Sequence, residues 1–177
     1  MEQLKKELTY PMASGNSPIK NFKKWKKAAR AKVFECMMTP PKAAAAWDME
    51  VLGEEQRDGY KAQKIAFNIN AYSRITAYLL IPDGKGPFPT VNALHDHGAH
   101  LFIGKEKMIR PFFTPEEKDS PTKQELCQEI LDDADAWARQ LYDNQYVGDY
   151  LAKHGYVVFS ADAPMWGERG RKEGVDR

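Results

Sequence analysis

The sequence predicts an α/β fold in which an N-terminal helix and an antiparallel meander lead into a parallel sheet with crossover helices. Residues 88–94 and 156–161 form nearly continuous apolar runs, which are typical of strands buried on both faces of a parallel sheet. About sixty residues separate the two runs, enough for a crossover that makes them parallel. The 177 residues are 42% hydrophobic, so the chain can bury one sizeable core.

The first predicted element is an amphipathic helix near the N-terminus. Ser17 and Pro18 are typical of an N-cap followed by the first helical residue, and apolar residues then recur at helical spacing as far as Cys36. Its lysine-rich face could be a stripe that binds nucleic acid or a membrane, but we interpret it as a solvated surface, since acidic residues elsewhere cancel the charge and no aromatic residue lies on the basic face. Residues 1–46 are therefore predicted to be a helical lead-in, and residues 47–177 the main domain.

Short β-like runs open the main domain and predict the antiparallel meander. The runs cover residues 47–53, 60–69 and 74–81, with turn signals at 57–59 and 70–73. Each run is short enough for one strand, and each turn is short enough for a hairpin.

Two helices and a long connection are predicted between the parallel strands. The longer helix begins at Ser120 and Pro121, and the shorter one covers residues 145–153 before Gly155. Residues 99–119 have weak periodicity and contain Gly104, Pro111 and Pro115. We expect them to form a long surface loop that serves as a functional rim, a lid or an insertion.

Charge and composition exclude several classes of partner. Lys and Arg number 26 against 25 Asp and Glu, a formal net charge of +1, so no overall field attracts nucleic acid or anionic lipid. Cys36 and Cys127 are too few for a disulfide framework or a paired zinc motif. The N-terminus lacks the apolar core of a signal peptide, and no apolar run reaches membrane-spanning length. We expect a cytoplasmic protein that binds neither nucleic acid nor membranes.

Three of the four histidines follow the first apolar strand, at the strand end where open α/β sheets bind ligands. His95 and His97 project to one face of an extended strand, so they predict a metal site that Asp96 or His100 completes. The same residues also fit an oxyanion hole, in which the N–H of Ala99 faces developing negative charge. A third interpretation is a polar turn whose histidines satisfy backbone groups. The residues alone leave these three interpretations open.

A second polar cluster follows the second apolar strand. Asp162 is interpreted as a catalytic carboxylate, as a metal ligand or, as is commoner in such loops, as a cap that accepts backbone N–H bonds. Arg169 is available as its ion-pair partner. Trp166 is predicted to form a pocket wall, because a large aromatic residue at a strand end commonly packs on a substrate or a lid.

Several motifs, taken in order, carry a resemblance to a known family. They are Glu-Glu-Gln-Arg-Asp-Gly-Tyr at 54–60, Ala-Tyr-Leu-Leu-Ile-Pro at 77–82, Gly-Pro-Phe-Pro at 86–89 leading into Ala-Leu-His-Asp-His-Gly at 93–98, and Gly-Tyr-Val-Val at 155–158 followed by Asp162 and Gly-Glu-Arg-Gly at 167–170. The succession resembles the α/β-hydrolase superfamily and, within it, the branch of acetyl xylan esterases and dienelactone hydrolase-like proteins. The resemblance covers roughly residues 47–170, the N-terminal portion of such a fold.

The resemblance implies roles for both clusters. His97, Gly98 and Ala99 correspond to the His-Gly-X turn of the oxyanion hole, with the Ala99 N–H as a donor and His97 structuring the turn. The loop with Asp162, Trp166 and Arg169 lies beside the substrate pocket. The implied substrate is a small ester or an acetylated carbohydrate, and neither a cofactor nor a metal is implied.

The chain departs from the family pattern at the nucleophile. No serine or cysteine of the sequence stands in Gly-x-Ser-x-Gly or Gly-x-Cys-x-Gly, and the acid and the histidine that follow it in the family are absent as well. We therefore expect the front part of an ester hydrolase, inactive by itself, whose triad is encoded beyond Arg177. In such a half sheet we expect strand 156–161 to be an open edge, which favours self-association.

Two alternatives belong to other functional classes. One is a metal-dependent hydrolase that uses His95, His97 and His100 as ligands. The other is a non-enzymatic interaction module whose missing strands come from a partner chain. Metal content separates the first from an esterase, and the oligomeric state bears on the second.

Overall fold

The computed structural model of the protein describes residues 2–7, 12–13, 19–98 and 100–170. The chain divides into two units, Met1–Lys42 and Ala43–Arg177. Within the described residues, no helix is both long enough and apolar enough to cross a bilayer.

The first unit contains helix α1 at Glu2–Glu7 and helix α2 at Phe22–Cys36. Helix α2 is the predicted amphipathic helix, but its predicted start is wrong. The Asn21 side chain accepts a hydrogen bond from the Lys24 N–H at 3.0 Å, so Asn21 is the N-cap. Asparagine satisfies a free N–H of the first turn as well as serine does, which explains the later start. The predicted N-cap pair, Ser17 and Pro18, lies outside the described residues.

Five strands in the described part of the chain form one mixed sheet. They are β1 at Glu50–Arg57, β2 at Tyr60–Asn70, β3 at Ser73–Pro82, β4 at Thr90–Asn92 and β5 at Val157–Ala161. Their order is β1-β2-β3-β5-β4, and every pair is antiparallel except β4 and β5. The predicted meander, β1 to β3, is confirmed, and so is the predicted parallel pair.

Two-residue turns join the strands of the meander. Strand β1 passes into β2 through Asp58 and Gly59, and Gly59 has a φ of +84°, which glycine adopts without a steric penalty. Strand β2 passes into β3 beside Asn70, whose side chain accepts a hydrogen bond from the Tyr72 N–H at 2.8 Å. Both predicted turns are confirmed.

The first parallel strand is much shorter than predicted. The sequence predicts a strand at residues 88–94 that is buried on both faces, whereas β4 covers three residues, and Thr90, Asn92 and Leu94 are exposed. In the described residues β4 pairs with β5 alone, so one of its edges has no ladder partner. Pro89 also lacks an N–H to extend a ladder.

The open edge of the sheet is not the one predicted from the sequence. Strand β5 pairs with β3 on one side and with β4 on the other, so the expectation that strand 156–161 forms an edge is wrong. Among the strands that the structure describes, β1 and β4 are the edge strands. The reason is the strand order: the chain places β5 between β3 and β4 and not on the outer side of β4.

Three helices cover the region between the parallel strands. They are α3 at Pro115–Asp119, α4 at Pro121–Leu141 and α5 at Val147–Lys153. The predicted long helix is confirmed with its start at Pro121, and the predicted short helix begins two residues later than the sequence suggests. Gly155, with a φ of +87°, follows α5 and ends it as predicted.

Residues 103–114 are mostly buried and do not form part of a surface loop as predicted. Their buried apolar side chains are Ile103, Ile109, Phe112 and Phe113. The Phe112 ring packs 5.4 Å from the ring of Tyr78 in β3, and a 3₁₀ turn at Lys105–Lys107 is buried as well. The weak periodicity of this segment thus reflects an irregular backbone that lines the core, since burial without regular structure leaves no repeating pattern.

Asp149 of α5 connects the helix to the meander and to the buried segment. Its carboxylate accepts hydrogen bonds from Arg57 Nη1 at 2.7 Å, from the Tyr60 hydroxyl at 2.6 Å and from the Arg110 N–H at 2.8 Å. The Arg57 and Asp149 side chains are only 10% and 13% exposed. Burial and the Asp149 carboxylate raise the pKa of Tyr60 far above its ordinary value, so this hydroxyl stays a donor.

We predict that Asp149→Ala lowers the free energy of unfolding by about 3 kcal/mol, because it leaves a buried guanidinium and a buried hydroxyl without their shared acceptor. Asp58→Ala is the matched control, since it removes an exposed carboxylate that pairs with Lys153. We expect the control to cost less than about 1 kcal/mol. Urea unfolding measures both variants, and equal losses would contradict the prediction.

Candidate functional site

The two predicted clusters come together at the carboxyl ends of β4 and β5. Residues 95–98 follow β4 and residues 162–170 follow β5, and the carboxyl ends of parallel neighbours lie side by side. The Trp166 ring packs 5.3 Å from the His95 ring and 5.0 Å from the His97 ring. The fold therefore places Trp166 against the histidines of the first cluster.

His95 joins the two strand-end loops. Its Nε2 accepts a hydrogen bond from the Ala163 N–H at 2.9 Å, and its Nδ1 lies 3.0 Å from the Asp96 carbonyl oxygen. An Nε2 that accepts and an Nδ1 that donates together require the neutral tautomer with its proton on Nδ1. His95 thus satisfies backbone groups, as the polar-turn interpretation expects.

His97 and Gly98 form the exposed turn after β4. Gly98 has a φ of +48°, and a Cβ atom built on it would lie 1.9 Å from Cη2 of Trp137. Only glycine fits this position, because both the backbone conformation and the indole exclude a side chain. Ala99, the predicted oxyanion donor, lies outside the described residues.

The buried side chain of Lys107 binds the backbone of this turn. The sequence analysis did not predict this contact. Lys107 Nζ donates to the His97 carbonyl at 3.0 Å and lies 3.4 Å from the Asp96 carbonyl. The ammonium is held between two indoles, 4.4 Å from the ring centre of Trp137 and 4.3 Å from that of Trp166. Burial lowers the pKa of Lys107, against the opposing effect of the Asp96 carboxylate.

The Asp96 side chain lies between Lys107 and Tyr142, the residue that follows α4. Its Oδ2 accepts a hydrogen bond from the Tyr142 hydroxyl at 2.6 Å, and its Oδ1 lies 3.6 Å from Lys107 Nζ. The hydrogen bond to Asp96, together with burial, raises the pKa of Tyr142 to about 12. Asp96 therefore helps to hold the turn between α4 and the lysine.

Asp162 is buried, and both oxygens of its carboxylate are bound by the protein. Oδ1 accepts from the Lys105 N–H at 2.7 Å, and Oδ2 accepts from Lys105 Nζ at 2.9 Å and from the Glu168 N–H at 3.1 Å. A Cβ on Gly104 would lie 2.3 Å from Oδ1, and one on Gly167 would lie 2.8 Å from the carboxylate. Two glycines thus enclose the carboxylate, which caps backbone groups as in one of the predicted alternatives.

The ion-pair partner of Asp162 is Lys105, which the sequence prediction also missed. The predicted partner, Arg169, instead donates from Nη1 to the Asp162 carbonyl oxygen at 2.9 Å. Burial raises the pKa of Asp162, and three carboxylates near Lys105 raise the pKa of that lysine although burial opposes them. Lys105 therefore stays protonated as the counter-ion.

The buried charges continue from Lys105 to a second lysine. Glu168 lies 3.4 Å from Lys105 Nζ and 2.8 Å from Lys64 Nζ, and Thr76 donates a hydrogen bond to its carboxylate. Lys64 also pairs with Glu117 of α3 at 2.6 Å. Burial raises the pKa of Glu168, but the two ammonium groups lower it by more. The pKa of Glu168 therefore lies far below its ordinary value.

The geometry disfavours the metal interpretation. Both ring nitrogens of His95 already have partners, and Nδ1 of His100 lies 3.5 Å from the Asp133 carboxylate. Within the described residues, no three His, Cys, Asp or Glu side chains are grouped closely enough to hold a metal ion. A ligand role for His95 would break a bond that joins the two loops.

We predict that Gly98→Ala destabilises the protein by about 2–5 kcal/mol, although the residue is exposed, because strain in the left-handed region adds to a clash with Trp137. Gly59→Ala is the control, since it has a φ of +84° but no atom within 4 Å of its added Cβ. It should cost only the backbone strain, about 1–2 kcal/mol. Urea unfolding compares the two, and a loss at Gly98 no larger than at Gly59 would rule out the clash.

We predict that Glu168→Gln makes the free energy of unfolding less dependent on pH under acidic conditions. A carboxyl whose folded pKa lies below its ordinary value of 4.5 stabilises the fold above that pH, and the contribution is lost as the pH falls toward the folded pKa. Between about pH 5 and pH 2 the wild type should therefore lose more stability per pH unit than the variant. Glu125→Gln, at an exposed position of α4, is the control and should follow the wild type in urea unfolding across this range.

Comparison with known proteins agrees with this architecture. A solved structure of a putative acetyl xylan esterase from Bacteroides fragilis matches with a TM-score of 0.56 and 22% identity, over 88% of this chain and 34% of that protein. The chain thus spans about a third of that protein, and at this identity the likeness concerns the fold alone. No curated protein matches the chain by sequence. A model of the abhydrolase family matches residues 2–177, and the chain therefore belongs to the abhydrolase family, whose α/β-hydrolase fold its sequence resembles.

Proposed function

We propose that this chain provides the oxyanion side of an ester hydrolase site. The observation that carries the proposal is the His97-Gly98 turn, which lies exposed at the carboxyl end of a parallel strand and is fixed from behind by Lys107 and Trp137. Ester hydrolysis develops negative charge on the carbonyl oxygen, and backbone N–H groups of a rigid turn stabilise that charge without reorganising.

The surrounding residues divide into substrate contacts and positioning residues. We assign the Ala99 N–H as a donor to the oxyanion, and His97 and Gly98 as the residues that shape the turn. Trp166 packs against both His95 and His97, so its role is to support the turn and the adjoining pocket wall.

Asp162 and Arg169 fit a positioning role better than direct contact with substrate. The Asp162 carboxylate is bound by Lys105 and by the Glu168 N–H, and Arg169 binds the Asp162 carbonyl. Together they fix the loop after β5, on which Trp166 lies. The substrate-binding role that the resemblance implies for them is thus indirect in this proposal.

The proposed substrate is a small ester, and an acetylated carbohydrate is the favoured kind. The support is membership of the abhydrolase family and the fold shared with a protein described as a putative acetyl xylan esterase. The proposed chemistry needs no metal or cofactor, because backbone donors take up the charge.

The nucleophile, acid and base are not among these 177 residues in this proposal. The sequence has no Gly-x-Ser-x-Gly or Gly-x-Cys-x-Gly. Ser160, the residue before the last one of β5, is buried and donates to the Ala93 carbonyl at 2.8 Å, so it is not free to attack an ester. A site with donors alone retains only a small fraction of the catalysis of a complete triad.

We therefore predict that the purified 177-residue chain does not hydrolyse p-nitrophenyl acetate above the buffer rate. Release of nitrophenolate, followed over a range of protein concentrations, measures this. The control is a variant with all five serines replaced by alanine: Ser14, Ser17, Ser73, Ser120 and Ser160.

Two positive results would contradict the proposal in different ways. Turnover that scales with protein and survives in the serine-free variant would mean that catalysis does not use a serine. Turnover that is lost both with a chelator and in His95→Ala/His97→Ala would favour the metal-dependent alternative.

A further inference from the structure

The ammonium of Lys107 lies in a cage built by two separate elements of the fold. Trp137 comes from α4 and Trp166 from the loop after β5, and their ring centres lie 4.4 Å and 4.3 Å from Nζ. The lysine side chain is fully buried. Because a cation is attracted to the faces of both indoles, the cage fixes Nζ relative to the two elements.

The caged ammonium binds the backbone of the turn. It donates to the His97 carbonyl at 3.0 Å and lies 3.4 Å from the Asp96 carbonyl. Hydrogen bonds from a charged donor are roughly twice as strong as those between neutral groups. Two successive carbonyl groups are thus directed toward one fixed positive charge.

The bond to the His97 carbonyl also sets the direction of the next N–H. The His97 carbonyl and the Gly98 N–H belong to one planar peptide unit, and in a trans unit they point in opposite directions. Gly86–Pro87 is the one cis peptide bond in the described residues. The Gly98 N–H therefore points away from Lys107. Gly98 itself is exposed.

We infer that Lys107 is a positioning residue, which orients the His97–Gly98 peptide so that the Gly98 N–H faces the oxyanion of the substrate. The inference rests on the proposed function, since it takes the ester carbonyl to bind at this turn. It adds the Gly98 N–H to the donor assigned at Ala99. The lysine acts through the peptide and does not touch the substrate.

Lys107→Met tests the positioning role, because methionine is unbranched and fills the cage without donating a hydrogen bond. An HNCO spectrum of the labelled 177-residue protein joins the His97 carbonyl carbon and the Gly98 N–H in a single cross peak. We expect this peak to move by more than its line width in Lys107→Met. In Lys107→Arg it should return toward the wild-type position, since a guanidinium also donates to carbonyls and stacks on indoles.

Lys153→Met is the matched control for loss of a lysine. Lys153 pairs with the exposed Asp58 and is 47% exposed itself. The Gly98 cross peak should stay in place in this variant.

Sodium cacodylate, a small tetrahedral oxyanion, probes whether the oriented N–H receives negative charge. Titration should move the Gly98 cross peak of the wild type, and the same shift in Lys107→Met should need several-fold more cacodylate.

The outcomes separate the inference from the proposed function. A Gly98 peak that is unchanged in Lys107→Met overturns the inference, and if cacodylate still moves it, the proposed function stands. A peak that moves in the variant but ignores cacodylate in the wild type supports the orienting role of Lys107 and contradicts the anion-receiving role of the turn.

A measurement on the wild type covers the case in which Lys107→Met does not fold. A scalar coupling across the hydrogen bond, between Lys107 Nζ and the His97 carbonyl carbon, supports the inference. Its absence from a resolved Lys107 Nζ signal overturns it.

Discussion

Two buried lysines, two positions apart in one 3₁₀ turn, organise both strand-end loops. Lys105 binds the carboxylate of Asp162 after β5, and Lys107 binds the carbonyl of His97 after β4. The turn that carries them is itself buried by the apolar residues around it, among them Ile103 and Ile109. Because one short turn supplies both cations, the positions of the two loops depend on each other. The segment that precedes α3 therefore helps to set the geometry of the site.

Burying these charges is costly, so their presence needs a physical reason other than stability. An ion pair in the interior seldom stabilises a fold more than apolar residues of the same volume do, since desolvation offsets the attraction. A charged pair does, however, require specific partners at specific distances. The Asp162 carboxylate accepts from both the backbone N–H and the ammonium of Lys105. It also lies so close to Gly104 and Gly167 that neither position has room for a side chain. The charges thus fix one loop geometry, which a site made of backbone donors depends on.

The sequence allowed the regular elements and the neighbourhood of the site to be predicted, but not its supports. The meander and α4 were predictable because their apolar residues repeat with the period of a strand or a helix. Both polar clusters were placed at the ends of predicted parallel strands, but the contact of His97 with Trp166 was not predicted. Lys105 and Lys107 were missed because lysine is ordinarily exposed, and because Lys105 and Asp162 are 57 positions apart in the sequence, which hides their pairing. One signal was available: Phe102-Ile103 and Met108-Ile109 bracket the charged turn with apolar pairs, a pattern unusual for a surface loop.

The described contacts that shape the turn join residues of this chain, and this bears on how the proposed site would work. His95 bonds to Ala163, Lys107 bonds to His97, and Trp137 closes against Gly98. These contacts are made by groups of the protein itself, so they orient the peptide after His97 without the help of a reacting group. Electrostatic catalysis gains most from donors that are already oriented when charge develops, since no free energy is then spent on turning them. In the proposed site, the donor half and the nucleophilic half can therefore be specified by separate stretches of polypeptide. The donor half would consist of the residues between β4 and the 3₁₀ turn at Lys105–Lys107, together with the loop after β5.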